Sequence, residues 1–428
     1  MSFLLIVGII IFVAVYITII SDKVHRTIVA VLGGMLMISL RIVPKAKAFH
    51  YVDWNVIFLL IGMMILVGAI QRTGLLQYMA IKGAKIARGN PYVTMSLLIL
   101  ITALFSAFLD NVTTVVLIAP VSILIAVELG ISPVPFLISE ALASNVGGTA
   151  TLIGDPPNII IGSAANLGFM DFIKNMTPPV VLMILLLPII MKWMMGKKMV
   201  VSYERKARIM EFDTSQIIED PVLLKKSLII FSLVIIGFFI HSLIDVDVSV
   251  IAMLGAFFLL LILKDQRKML RELLSQIEWT TLFFFMGFFI MVGGLLELGV
   301  IDRISYKLFA LFKNNLSLAS LSILWSSGIL SSILDNIPFV TTMTPVVKAL
   351  GAQWGAQTIL PIWWSLALGA CLGGNMTLIG AAANVVVADI SERNGYTINF
   401  WEFARYGAVV TFVNLFISSV YVWLRYLR

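Results

Sequence analysis

A polar, glycine-rich block interrupts the apolar sequence twice at a nearly constant spacing. The first copy, residues 147–158, reads Gly-Gly-Thr-Ala-Thr-Leu-Ile-Gly-Asp-Pro-Pro-Asn, and residues 373–384 repeat it at an offset of 226 with seven of twelve positions identical. In lipid an unsatisfied backbone group costs several kcal/mol, so irregular backbone persists only where protein or a water-filled cavity surrounds it. The block therefore predicts a helix broken at membrane depth, which points free amides and carbonyls at a substrate or ion.

The composition places this break in a bilayer. Of 428 residues, 60% are hydrophobic and 12% are charged, whereas soluble domains are nearer one half apolar and one quarter charged. Apolar runs of 17 to 20 residues recur, and that length spans the hydrocarbon core. We expect an integral multi-pass protein of the plasma (inner) membrane, in contact with lipid and not with nucleic acid.

The repeat extends beyond the two breaks. At an offset of 225 residues, Asp53-Trp54 is matched by Glu278-Trp279, residues 106–111 by 331–336, and Pro120-Val121 by Pro345-Val346. Three blocks in register are typical of an internally duplicated transporter. With five full spans in each half, the second half is expected to be inverted relative to the first.

The distribution of basic residues favours an orientation with the N-terminus outside. In that orientation, 20 of the 30 Lys and Arg residues fall on the cytoplasmic side, as the positive-inside rule expects. The predicted cytoplasmic segments are 21–26, 71–90, 192–226, 264–278 and 391–405.

The predicted fold is an all-α polytopic membrane protein of two inverted-topology repeats, each with five transmembrane helices and a re-entrant hairpin, and with broken helices at the midplane. The expected boundaries are a first repeat at 1–196 with a hairpin at 92–128 and a broken helix at 135–168, a cytoplasmic linker at 197–226, and a second repeat at 227–428 with a hairpin at 316–350 and a broken helix at 360–392.

The hairpin prediction depends on the apolar run 115–127. Its 13 residues reach only about 20 Å as a helix, short of the ~30 Å hydrocarbon core. The alternative is a full span followed by a short surface helix.

Three aspartates lie at the breaks and hairpin tips, namely Asp110, Asp155 and Asp335. A carboxylate inside a membrane is a functional-site hypothesis by default. Together with Asn side chains, Thr hydroxyls and free carbonyls, these groups are hard oxygen ligands suited to Na⁺ or to a proton relay. The predicted substrate- or ion-binding residues are Asp110, Asn111, Thr113, Thr114, Thr149, Thr151, Gly154, Asp155, Asn158, Asp335, Asn336, Thr341, Asn375, Thr377, Gly380 and Asn384.

Two sodium sites are predicted within this set, one at Asp110, Asn111 and Gly154 and the other at Asp335, Asn336 and Gly380. The simpler alternatives are structural. Asp155 is also placed to cap the half-helix that follows it, and the threonine hydroxyls are able to bond back to helix carbonyls. Glu140, inside the preceding span, is expected to face a cavity or to pair with a basic neighbour.

Several chemistries have no support in the sequence. Cys371 is the only cysteine, so there is no internal disulfide and no thiolate cluster for a soft metal. There is no Gly-x-x-x-x-Gly-Lys-Ser/Thr loop, so this chain is not expected to use ATP. A separate ATPase subunit stays open as a partner. No catalytic residue and no cofactor beyond a coupling H⁺ or Na⁺ is expected.

The residues Asp110-Asn-Val-Thr-Thr-Val115, Pro120 and the 147–158 block resemble the ion transporter superfamily. The resemblance covers nearly the whole chain and is strongest to the arsenite permease and P-permease branch, which is related to sodium/proton antiporters and divalent-anion/sodium symporters. It implies a homodimer in which a transport domain, here 92–168 and 316–392, moves against a scaffold by elevator-type alternating access.

One departure from the family bears on the substrate. The dicarboxylate symporters carry Ser-Asn-Thr at the hairpin tips, whereas this chain has Asp110-Asn111-Val112 and Asp335-Asn336-Ile337. The added carboxylates are expected to repel dianions.

The expected function is that of a secondary active transporter, not an enzyme, which moves a small inorganic ion or arsenite/antimonite in exchange or in company with H⁺ or Na⁺. One alternative is a sodium-coupled carboxylate or anion symporter of the same fold, and another is a passive anion channel. The last is an intramembrane aspartyl protease, for which the usual Gly-x-Gly-Asp pattern is incomplete at Leu152-Ile153-Gly154-Asp155.

Overall fold

The computed structural model describes residues 3–21, 23–196, 199–213, 217–312 and 315–428, and within those ranges the regular secondary structure is entirely helical. The helices in chain order are α1 Phe3–Ser21, α2 Arg26–Ser39, α3 Trp54–Gln71, α4 Leu75–Ile86, α5 Pro91–Ser106, α6 Asn111–Leu129, α7 Val134–Gly148, α8 Pro156–Ala165, α9 Phe169–Asn175, α10 Thr177–Met195, α11 Tyr203–Glu211, α12 Pro221–Ile244, α13 Val248–Ile262, α14 Gln266–Ser275, α15 Trp279–Glu297, α16 Val300–Phe312, α17 Leu316–Leu334, α18 Asn336–Trp354, α19 Leu360–Gly373, α20 Ala382–Arg393 and α21 Phe400–Val422.

Among the described helices, eight are long and apolar enough to cross a membrane. They are α1, α3, α6, α10, α12, α15, α17 and α21, the last with the residues that continue it to Leu427. The apolar helices α2, α5, α13 and α19 are shorter, with 14 to 16 residues. The prediction of an all-helical, multi-pass membrane protein is confirmed.

The helices are arranged from lipid-facing to fully enclosed. Aliphatic side chains such as Ile10 and Ile17 of α1 and Leu233 of α12 are exposed, and lipid is the solvent that such surfaces require. In contrast, α7 and α19 are buried almost residue for residue. The two helices that run into the glycine-rich breaks therefore form the centre of the protein.

Local chemistry explains where the helices near this centre begin and end. Asp53 begins α3 by accepting from the amides of Asn55 and Val56, and Asn90 begins α5 directly before Pro91, whose ring suits the first helical position. Gly130 ends α6 with φ of +67°, a backbone conformation that glycine adopts without a Cβ penalty.

Equivalent helices of the two halves pack through equivalent small residues. A Cβ atom on Gly62 of α3 would lie 2.7 Å from the carbonyl carbon of Ala252 in α13, and one on Gly287 of α15 would lie 2.7 Å from that of Ala30 in α2. Since Gly62 and Gly287 are 225 residues apart and Ala30 and Ala252 are 222 apart, the α2–α15 and α3–α13 pairs are the same packing unit used twice.

Two boundaries differ from the sequence-based expectation. The helix that contains the run 115–127 is α6, which has 19 residues because Asp110 caps it and the polar Asn-Val-Thr-Thr segment forms its first turn. The argument from a short second arm is therefore wrong, since by length α6 qualifies as a span. Its equivalent, α18, continues to Trp354, beyond the predicted end at 350.

The predicted linker 197–226 also contains regular structure. It holds α11 and the first turns of α12, which starts at Pro221 directly after the capping residue Asp220. The apolar side chain of Ile209 in α11 is fully buried, and α11 packs against α4 and α6. Residues 197–198 and 214–216 of the predicted linker lie outside the described part of the chain.

Candidate ion-binding site

The two breaks replace lost helical hydrogen bonds with asparagine amides. Between α7 and α8, the Asn158 amide nitrogen donates to the carbonyl oxygens of Thr149 (3.2 Å) and Thr151 (2.8 Å). Between α19 and α20, Asn384 donates to the carbonyls of Gly374 (2.8 Å) and Thr377 (2.9 Å). Because these carbonyls have no intrahelical partner, each amide satisfies two buried acceptors and holds its break in shape.

A third asparagine, Asn145, joins the two breaks to each other. Its amide nitrogen donates to the side-chain oxygens of Asn375 (2.8 Å) and Asn384 (2.9 Å), and Asn375 in turn donates to the carbonyl of Leu142 (3.1 Å). Asn145 is buried and was not among the predicted site residues, because it lies within the last turn of α7 rather than in the break. An asparagine in an otherwise apolar helix was the available signal.

Replacing Asn145 with alanine is expected to destabilise the protein by about 2–4 kcal/mol, because the oxygens of Asn375 and Asn384 each lose their donor in a dry environment. The readout is thermal unfolding in detergent, followed with a thiol-reactive dye, since the only cysteine, Cys371, is buried. Asn394→Ala is the matched control, because Asn394 is exposed at the end of α20. An equal melting temperature for the two variants would contradict the bridging role of Asn145.

The first hairpin, α5 and α6, ends beside the first break. Asp110 caps α6, with one carboxylate oxygen accepting from the amides of Val112 (3.0 Å) and Thr113 (3.2 Å). The next side chain, Asn111, is buried, and one end of its amide faces the carbonyl oxygens of Gly154 (3.1 Å) and Ser144 (3.0 Å). The hairpin tip thus brings a side-chain amide against free backbone oxygens of the break.

The Asn111 amide fits this place in two orientations. With its nitrogen toward Gly154 and Ser144 it donates to both carbonyls, and the tip is satisfied without an ion. With its oxygen there, it accepts from Ser106 Oγ (2.6 Å) and faces only other acceptors. A cluster of neutral oxygens without enough donors is the arrangement that a hard monovalent cation satisfies.

The second hairpin, α17 and α18, ends at Asp335 and places Asn336 against Asp155 of the first break. The Asn336 amide nitrogen lies 3.2 and 3.3 Å from the two carboxylate oxygens of Asp155. Asp155 makes no side-chain hydrogen bond to the amides of α8, so the alternative that it serves as a helix cap is wrong. Asp155 is instead held at the junction of the two halves, with 1% of its surface exposed.

The hairpin tips and Asp155 line one cavity of about 390 Å³. Asp110 and Asp155 are joined there by Glu278, at the start of α15, and by Arg26, at the start of α2. Arg26 is paired with the Asp335 carboxylate at 2.7 Å, so three carboxylates are left without a cationic partner among the residues that line this cavity. The sequence reading did not identify Arg26 and Glu278 as site residues, since each lies at a predicted span end.

The predicted threonines use their hydroxyl hydrogens on backbone carbonyls. Thr114, Thr149 and Thr341 donate to the residue four positions earlier in their own helix. Thr151 and Thr377 donate instead to the neighbouring hairpins, at the carbonyls of Ala107 and Ser332. They fasten each break to its hairpin, and each hydroxyl keeps a lone pair for a ligand.

Glu140 does not face a basic side chain. Its carboxyl group accepts from Ser122 of α6, and its second oxygen has no hydrogen-bond partner among the described residues. The expectation that it pairs with a basic neighbour is therefore wrong, and Glu140 does not line the central cavity.

Comparison with known proteins connects this site to a family. A family model described as CitMHS, citrate transporter, matches residues 16–369. An uncharacterized transporter of Mycobacterium bovis is 45% identical over 427 residues and is covered to 98% of each chain. The P protein of Sus scrofa is 33% identical over 490 aligned positions, which cover 95% of this chain and 58% of the P protein.

Two solved structures share the fold at low sequence identity. The YdaH transporter of Alcanivorax borkumensis, described as having an unusual topology, superposes with a TM-score of 0.62 at 14% identity over 94% of this chain and 98% of that one. MtrF of Neisseria gonorrhoeae, described within a class of antimetabolite efflux pumps, gives a TM-score of 0.64 at 12% identity over 100% and 96% of the chains. At these identities the similarity bears on the fold alone.

Proposed function

The chain belongs to the CitMHS citrate transporter family of membrane transporters and is not an enzyme, and on this premise we propose that it is a secondary active transporter driven by H⁺ or Na⁺. The proposed cargo is a small inorganic ion or a neutral hydroxide such as arsenous or antimonous acid. The proposed coupling cation binds between the hairpin tips and Asp155.

The charge of the central cavity carries this proposal. Asp110, Asp155 and Glu278 line it without a cationic partner, because Arg26 is committed to Asp335. In a partly buried site, two like charges at 4 Å repel by about 4 kcal/mol at an effective dielectric near 20. A cavity of this charge attracts cations, accepts neutral solutes and opposes the entry of a free tricarboxylate.

The first hairpin supplies the proposed cation site. The oxygens of Asn111, Gly154 and Ser144 converge within 3.1 Å of one another, and the carbonyl of Ser106 closes on Gly154 from the same side. Neutral oxygens of this kind suit Na⁺, and the adjacent carboxylates of Asp110 and Asp155 suit either Na⁺ or a proton. The second predicted site, at Asp335, Asn336 and Gly380, is equivalent by sequence.

The proposed mechanism is alternating access of two inverted repeats. The cavity adjoins the first turns of α2 and α15, and both helices follow the basic segments that the charge distribution assigns to the cytoplasm. In this orientation the structure corresponds to an inward-facing state. Movement of the hairpins and broken helices toward the outer side, past α3 and α15, would expose the same residues to the opposite solution.

Flux into proteoliposomes tests the proposal. We expect arsenite or a small cation to be driven by a proton or sodium gradient, and Asp110→Asn to lower this flux by about tenfold or more because the cavity loses a carboxylate. Asp389→Asn is the matched control, since Asp389 pairs with Arg393 on the surface of α20. Flux that ignores both gradients would favour a passive channel, and unchanged coupled flux in Asp110→Asn would contradict the site.

A second candidate cargo comes from the family description. Citrate enters a cavity with three free carboxylates only if bound cations or protons neutralise most of its charge. The same flux assay distinguishes the two cargoes when citrate is supplied with and without a divalent cation. Uptake that requires the divalent cation would assign a cation–citrate complex, and uptake of free citrate alone would contradict the charge argument.

A further inference from the structure

The two hairpins are built alike down to single hydrogen bonds. Ser106 Oγ donates to the carbonyl of Ser144 (2.7 Å), and its equivalent, Ser331 Oγ, donates to the carbonyl of Ala370 (2.6 Å). Each hairpin then turns at an Asp-Asn pair beside a glycine carbonyl of a break. The second hairpin is therefore equipped with the same kinds of oxygen as the proposed cation site of the first.

The aspartates at the two tips nevertheless differ in conformation. Asp110 has an ordinary extended backbone, with φ of −60°. Asp335 has φ of +63°, a region that residues with a Cβ atom enter at a cost of about 1–3 kcal/mol and that is found most often at functional sites. In this conformation one carboxylate oxygen of Asp335 caps α18 at Ile337 (3.1 Å), and the other meets Arg26.

The guanidinium of Arg26 is fixed in front of Asp335. It lies 2.7 Å from the carboxylate and 5.5 Å from the centre of the Phe284 ring of α15. A planar guanidinium that bonds a carboxylate and stacks on an aromatic ring has little freedom to leave. The other ionisable groups nearby are His25, which precedes it in the chain, and Glu278, which lines the same cavity.

The first half has no arginine at the equivalent place. The packing of Ala30 on Gly287 and of Ala252 on Gly62 aligns α2 with α13 at an offset of 222 residues. Arg26 then corresponds to Val248, the first residue of α13. The carboxylate of Asp110 accordingly has no tethered cation, although it is the equivalent of Asp335.

We infer that Arg26 takes the place of a second coupling cation, so that only the first half binds an exchangeable one. The inference rests on the proposed function in assuming cation coupling. Arg26 belongs to α2 and Asp335 to the second hairpin, so the pair forms only while that hairpin lies next to the start of α2. The guanidinium thus neutralises Asp335 in this state without being transported.

The test counts cations bound to the full-length protein purified in detergent, as ²²Na⁺ bound plus protons taken up between pH 9 and pH 7. We expect Arg26→Gln to bind one more cation per chain than the unmodified protein, because it frees the Asp335 carboxylate. Arg26→Lys keeps the charge and should leave the count unchanged. The double variant Arg26→Gln/Asp335→Asn should return to the original count, and this neutral pair also guards against loss of folding in the single variant.

Arg393→Gln is the matched control, because it removes an arginine from a surface pair with Asp389 and should add no cation in this pH range. An unchanged count in Arg26→Gln, or an extra cation that persists in the double variant, would overturn the inference. Failure of the proposed function would show differently, as an absence of gradient-driven flux in the unmodified protein, and it leaves the counts to be compared on their own.

Discussion

Asp155→Asn is expected to lower the affinity for the coupling cation by about 100- to 1,000-fold, since one unit charge about 4 Å away contributes roughly 4 kcal/mol at an effective dielectric near 20. Asp155 is buried at the junction of the halves and receives only the amide of Asn336. The substitution keeps the shape of the side chain, so the protein should fold and melt close to the unmodified one. Gradient-driven flux should fall to near background.

The measurement is the concentration of Na⁺ or H⁺ that gives half-maximal flux in proteoliposomes, compared with melting temperature on the same preparation. Asp171→Asn provides a control at another carboxylate, because Asp171 accepts from the Gly168 amide at the start of α9 and lies outside the central cavity. A half-maximal concentration within twofold of the unmodified protein would remove Asp155 from the proposed cation site.

Gly147→Ala is expected to prevent assembly of the transport site, with a destabilisation of at least about 3 kcal/mol. A Cβ atom at Gly147 would lie 2.5 Å from Cα and 2.7 Å from the carbonyl carbon of Ala103 in α5. Both are backbone atoms of a neighbouring helix, so relief requires α5 and α7 to separate. The equivalent contact in the second half joins Gly373 to the backbone of Gly328.

Yield of monodisperse protein and the dye-monitored melting temperature measure this effect. Gly83→Ala is the matched control, because Gly83 is also within a helix and an added Cβ would meet only the flexible side chains of Ile101 (3.1 Å) and Leu97 (3.7 Å). Alanine favours helix by about 1 kcal/mol over glycine, so the control should be neutral or stabilising. Normal yield and melting of Gly147→Ala would mean that the α5–α7 contact is not tight.

The periodicity of polar and apolar residues was enough to predict the helical membrane class and the location of the breaks. It misplaced the start of α6, because Asn111-Val-Thr-Thr reads as a polar loop although Asp110 caps it into a helix. It also missed Asn145 and Arg26, whose partners lie 230 and 309 residues away. A contact over such a separation leaves no pattern along the chain.

What the sequence determined by itself was the set of groups that has to be sheltered from lipid. Glycines, asparagines and aspartates cannot face hydrocarbon, so the repeated breaks and tips had to lie inside, whatever the arrangement of the helices. Tertiary structure alone decided which of these groups meet. Packing sets Asn336 on Asp155 and Arg26 on Asp335, and it is this pairing that leaves the equivalent Asp110 without a tethered cation, because the net charge of a site depends on distances in space.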